Sequence, residues 1–133
     1  MALDKPRGGL FIVTTITRLG LAAALALGLA GQAFAHAHLK SAAPADKSTV
    51  TGSPSELDLT FTESLNLKFS GVKLTGPDTT AVKLGDPGLT RNDKVLIVPV
   101  SSPLGSGTYT VEWHVLSTDG HKTNGSYTFT VKP

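Results

Sequence analysis

The sequence predicts an all-β protein: a single Greek-key β-sandwich of about seven strands, carried behind a cleaved signal peptide. Three observations lead there. Apolar and polar residues alternate over short stretches, as in ELDLTFTE (56–63), where Leu57, Leu59 and Phe61 share one face. Turn punctuation separates those stretches at TGSPS, TGPDT, GDPGLTRND and SSPLGSG. No window after the signal carries an apolar stripe at helical spacing.

The strands follow in chain order. HAHLKSAAP (36–44) opens the domain, and ELDLTFTE is the first with clean two-residue alternation. LKFSGVKL (67–74), TAVKL (80–84) and KVLIVPV (94–100) come next. GTYTVEWHVLS (107–117) and GSYTFTVKP (125–133) close the chain, with Trp113 reading as core and His114, its neighbour, as facing outward. This many short strands with regular turns is the pattern of a Greek-key sandwich.

What precedes residue 36 reads as an export signal. Lys5 and Arg7 lie near the start, Arg18 follows, and LGLAAALALGLAG (19–31) is an uninterrupted apolar run before the small-x-small triplet Ala33-Phe34-Ala35. The run falls short of the about 20 residues a membrane span needs, and extending it backward would bury Arg18. Cleavage after Ala35 divides the chain into a signal peptide, 1–35, and a mature domain, 36–133.

Removing the signal changes the charge balance. Of 12 Lys and Arg, three lie before residue 36, and of 10 Asp and Glu only Asp4 does, so nine of each remain. The apparent basicity belongs to the signal, and no basic cluster with interleaved aromatics is left to track phosphates, which excludes nucleic acid. Cysteine is absent, so an exported domain of this size is held by its core, or by a metal, without disulfides.

The chemistry concentrates in WHVLSTDGHKTNGSYTF (113–129). Asp119 and His121 are two residues apart, so in extended backbone their side chains leave on one side, and Gly120 permits a tight path between them. Alone this is the pattern of many polar turns. Cleavage after Ala35 strengthens it, because His36 then opens the chain and offers a free α-amine beside its imidazole Nδ1. An α-amine titrates at about 7.7–8.0, so a metal displaces its proton readily near neutral pH. Amine, two imidazoles and a carboxylate form a tetragonal N,O set, which favours Cu(II).

HAHLKSAAPAD at the mature start, FTESLNLKFSGVKL, SSPLGSGTYTVEWHVLSTDGH and the closing GSYTFTV together resemble, in that order, the CopC family of periplasmic copper-binding proteins. The resemblance implies a cupredoxin-like or immunoglobulin-like sandwich and one Cu(II) per chain, held by His36 through amine and ring, Asp119 and His121. It further implies a periplasmic, monomeric carrier or buffer in copper resistance or homeostasis, not an enzyme, that exchanges copper with a CopD-like inner-membrane transporter. The family's methionine-rich Cu(I) loop has no counterpart: the only methionine is Met1, and soft thioethers are what select Cu(I).

Rival readings attach to particular residues. His38 at position three of a free terminus could wrap Cu(II) with the amine and two deprotonated backbone amides, although this competes with pairing of the first strand. Glu63 reads as a surface carboxylate that could approach a metal, and His114 as solvent-exposed. Ser117 or Ser126 with Asp119 and His121 suggests hydrolysis, but the G-x-S-x-G elbow is absent. A copper oxygenase built on a histidine brace would need the open position that Asp119 fills. A non-metal adhesive sandwich predicts no stabilisation by copper.

Overall fold

The computed structural model describes residues 36–133, which form a unit of their own; the predicted signal peptide lies outside the described residues. Nine strands build two stacked sheets: β1 (Leu39–Ala43), β2 (Ser48–Thr51), β3 (Glu56–Phe61), β4 (Gly71–Thr75), β5 (Ala81–Val82), β6 (Gly88–Thr90), β7 (Val95–Pro99), β8 (Gly107–Leu116) and β9 (Lys122–Lys132). One sheet runs β1-β3-β7-β6 and the other β2-β9-β8-β4-β5. The all-β sandwich expected from the alternation is the fold observed. A 3-10 turn at Leu67–Phe69 is the single helical element among the described residues.

The strand count exceeds the expected seven because two segments pair that local pattern does not mark. Ser48–Thr51 leaves the first strand's sheet after Pro44, which has no N–H to give to a ladder, and runs parallel to β9 in register Ser48↔Phe129. The switch is fixed by Lys47 N–H donating to the Thr128 carbonyl at 2.6 Å and by Thr128 N–H donating to Asp46 Oδ1 at 3.2 Å. Gly88–Thr90, expected as turn, pairs antiparallel with β7. The stretch LKFSGVKL splits instead of running as one strand: Leu67–Phe69 coils, capped by the Asn66 side chain, and pairing starts at Gly71.

Alternation decides what each strand buries. Leu57, Leu59 and Phe61 of β3 meet Tyr109, Val111, Trp113 and Val115 of β8 and Tyr127, Phe129 and Val131 of β9 in one core. The Phe61 and Trp113 rings lie edge to face, centroids 5.1 Å apart, an arrangement that contributes about 0.5–1.5 kcal/mol beyond area burial. Trp113 is opposite Gly125 in the ladder. A Cβ at Gly125 would stand 2.5 Å from Trp113 Cζ2, so the indole occupies the space that this glycine leaves. The longest ladder, β8 with β9, ends at Leu116↔Lys122, and the connection across that end carries the D-x-H motif.

Candidate metal centre

Residues 117–121 join β8 to β9 and are closed by Ser117. Its N–H donates to the His121 carbonyl at 3.0 Å, and its carbonyl accepts from Gly120 N–H at 2.9 Å. Gly120 turns the chain at φ 92°, where a side chain would be strained. The Ser117 hydroxyl donates to Asp119 Oδ1 and accepts from His121 N–H at 3.3 Å. The loop is also tied sideways, by Thr118 N–H to the Ser64 carbonyl at 2.9 Å and by a bridge between Leu65 and Ser117.

These bonds turn Asp119 and His121 toward each other. Asp119 Oδ2 is 3.2 Å from His121 Nδ1, with each side chain close to half exposed. The Ser117 hydroxyl, and after it the hydrogen bond with His121, hold the Asp119 carboxyl below the ordinary carboxylate range, so it is ionised wherever a cation would seek it. Two donors bound to one ion at about 2.0–2.1 Å, the usual metal–imidazole length, stand roughly 3 Å apart when adjacent. The observed separation suits that geometry.

His36 reaches the same place from the other end of the chain. Ala37, fully buried, is the plug: its carbonyl accepts from Thr123 Oγ1 at 2.9 Å, just beyond the loop. His38 is clamped to Thr62, its N–H donating to Thr62 Oγ1 at 2.9 Å and its carbonyl accepting from Thr62 N–H at 3.0 Å. The His36 ring therefore lies edge-on to His121, centroids 4.5 Å apart at 74°. Among the described residues no three His, Cys, Asp or Glu side chains have closed into a metal-holding group.

The remaining candidates stand apart. His38 is exposed, and its N–H, which a wrap-around copper site would have to deprotonate, is committed to Thr62. Glu63 is exposed and makes no ion pair among the described residues. His114 is exposed on the face opposite Trp113 and packs over Gly71, where a Cβ would lie 3.0 Å from its ring. Ser126 is exposed on β9. Ser117 does contact Asp119 and His121, but as the residue that closes their loop. Sequence reading missed the anchoring roles of Ser117, Thr62 and Thr123. Only for Ser117 was a signal present: a serine at the head of a short polar loop commonly closes it by bonding its hydroxyl to nearby backbone, as Ser117 does with His121.

Comparisons with known proteins bear on the family and the fold. The CopC domain model matches residues 39–132. Protein YobA of Escherichia coli K12 is 48% identical over 100 residues, covering 74% of this chain and 81% of that protein. Copper resistance protein C of Escherichia coli is 39% identical over 122 residues, covering 84% of this chain and 94% of its own length. Among solved structures, PcoC, a methionine-rich copper resistance protein from Escherichia coli, superposes with a TM-score of 0.66 at 39% identity, over 74% of this chain and all of that one.

Proposed function

The chain belongs to the CopC family, and from that membership we propose that it is an exported copper-resistance protein that binds one Cu(II) as cargo. The ligands are His36, through its α-amine and ring, with Asp119 and His121. The observation that carries this reading is the meeting of His36 with the Asp119–His121 pair at the β8–β9 end of the sandwich. In this reading cleavage after Ala35 creates the amine. Two imidazoles, an amine and a carboxylate offer nitrogen and oxygen donors only, which favours Cu(II) over Cu(I).

In this reading the protein is a monomeric periplasmic carrier or buffer and not a catalyst. Asp119 fills a position that an oxygenase would leave open to oxygen. The partner that fits such cargo is a CopD-like transporter of the inner membrane. Difference from the methionine-rich relative is part of the proposal: residues 36–133 contain no Met and no Cys, so a Cu(I) site of comparable strength is not expected.

The test is a Cu(II) competition titration, followed by spin resonance, of the processed protein and of a version with one glycine added before His36. The extension turns the amine into an amide and should weaken binding by orders of magnitude. Processed protein should also gain about 2.7 kcal/mol of stability at a hundredfold excess of copper over the dissociation constant. Equal affinity in the two proteins would refute the terminal ligand, and a melting temperature indifferent to copper would favour an adhesive sandwich.

A further inference from the structure

We infer that Ser117 is a positioning residue for copper: its buried hydroxyl holds one oxygen of the Asp119 carboxylate and so turns the other toward the ion. The inference rests on the reading of Asp119 as a ligand and goes beyond it, because Ser117 itself touches no metal.

Ser117 is 1% exposed, against about half exposure for Asp119 and His121. A buried hydroxyl must spend its single proton on one acceptor. Two are within reach, Asp119 Oδ1 and, at 3.2 Å, the His121 carbonyl. That carbonyl already receives Ser117 N–H at 3.0 Å, and a carboxylate is the stronger acceptor because it is charged. The proton therefore belongs to Asp119.

The consequences follow from where the rest of Ser117 is fixed. Its backbone is locked by the bridge to Leu65 and by both bonds across the loop, so the hydroxyl is a stationary post and the exposed carboxylate is what moves. With Oδ1 engaged, Oδ2 is the oxygen that faces His121 Nδ1. Asp119 then presents one defined oxygen before metal arrives, and the ordering of an exposed side chain is not left to the moment of binding. Hydrogen-bonded partners of metal ligands commonly change affinity by about 10–100-fold when removed.

The experiment is a double-mutant cycle read by Cu(II) competition titration and by spin resonance, on exported protein whose N-terminus is verified as His36. Wild type, Ser117→Ala, Asp119→Ala and the double variant are compared, with the melting temperature of each apoprotein recorded. Ser117→Ala should weaken binding about 10–100-fold and shift the copper hyperfine coupling, while in the Asp119→Ala background the same change should alter affinity less than about threefold. If Ser117→Ala binds as wild type does, or loses as much affinity with Asp119 absent as with it present, the positioning role is refuted. If Asp119→Ala itself leaves affinity unchanged, the ligand assignment falls, and the inference with it.

Discussion

The two halves of the candidate centre are built differently. Asp119 and His121 lie in a five-residue loop (117–121) whose backbone and side chains are bonded to one another and to residues 64–65. Among the described residues His36 has no such web. Its exposed ring is placed indirectly, by the burial of Ala37 and the clamp on His38, and in the proposed site one of its two donors is freed only by a cut after Ala35. In that proposal one half is organised by folding and the other is completed by processing. If the chain is exported and cut as proposed, the contrast is a physical reason to hold copper only after export: the loop alone offers an exposed carboxylate–imidazole pair, and a single exposed pair is a poor chelator.

Substitutions can break this comparison. The largest effect is expected at the folded half: His121→Ala removes an imidazole ligand outright and should weaken Cu(II) by more than about a hundredfold, since even outer partners of ligands are worth about 10–100-fold. His38→Ala, in the same titration, should change affinity by less than about threefold because only its backbone is engaged. The reverse ranking would mean that copper is wrapped by residues 36–38 and that the loop is a bystander.

A smaller effect is expected at the plug. Ala37→Leu forces a larger side chain into a fully buried site and should destabilise the apoprotein by about 1–3 kcal/mol, measured by denaturant unfolding. Copper affinity should fall with it as His36 is lifted off the loop. If affinity stays constant while stability drops, the terminus finds the loop without its anchor. The smallest effect is expected from Thr123→Val, which deletes the hydroxyl bonded to the Ala37 carbonyl. The expected loss is about 0.5–1.5 kcal/mol of stability, with a few-fold weaker Cu(II) binding in titration. A loss confined to stability would show that this bond holds the strand and leaves His36 untouched.

Much of this was legible in the sequence. The alternation of Leu57, Leu59 and Phe61, and of Tyr109, Val111, Trp113 and Val115, marks buried faces directly, because a strand's side chains alternate whatever it pairs with. β2 and β6 were not legible. Ser48–Thr51 and Gly88–Thr90 are short and each carries a single large apolar residue, Val50 or Leu89, so no apolar alternation marks them in the sequence, and their strand character comes from the neighbours they pair with. The coil at Leu67–Phe69 was hidden for the opposite reason, since its residues look strand-like and two of them, Leu67 and Phe69, are nonetheless exposed at 38% and 53%.

The candidate site divides along the same line. The sequence by itself determined which donors exist, that Asp119 and His121 are local neighbours, and that a cut after Ala35 would free an amine at His36. These are properties of covalent order and spacing. The tertiary structure decided that His36 stands against His121, that His38 has its N–H committed to Thr62, and that a buried Ser117 hydroxyl meets Asp119. Ser117 and Asp119 are local neighbours, but His36 and His121, like His38 and Thr62, are too far apart in the chain for local chemistry to bring them together. Their meeting depends on sheet register and on which core space Ala37 fills, and both are set by the whole sandwich at once.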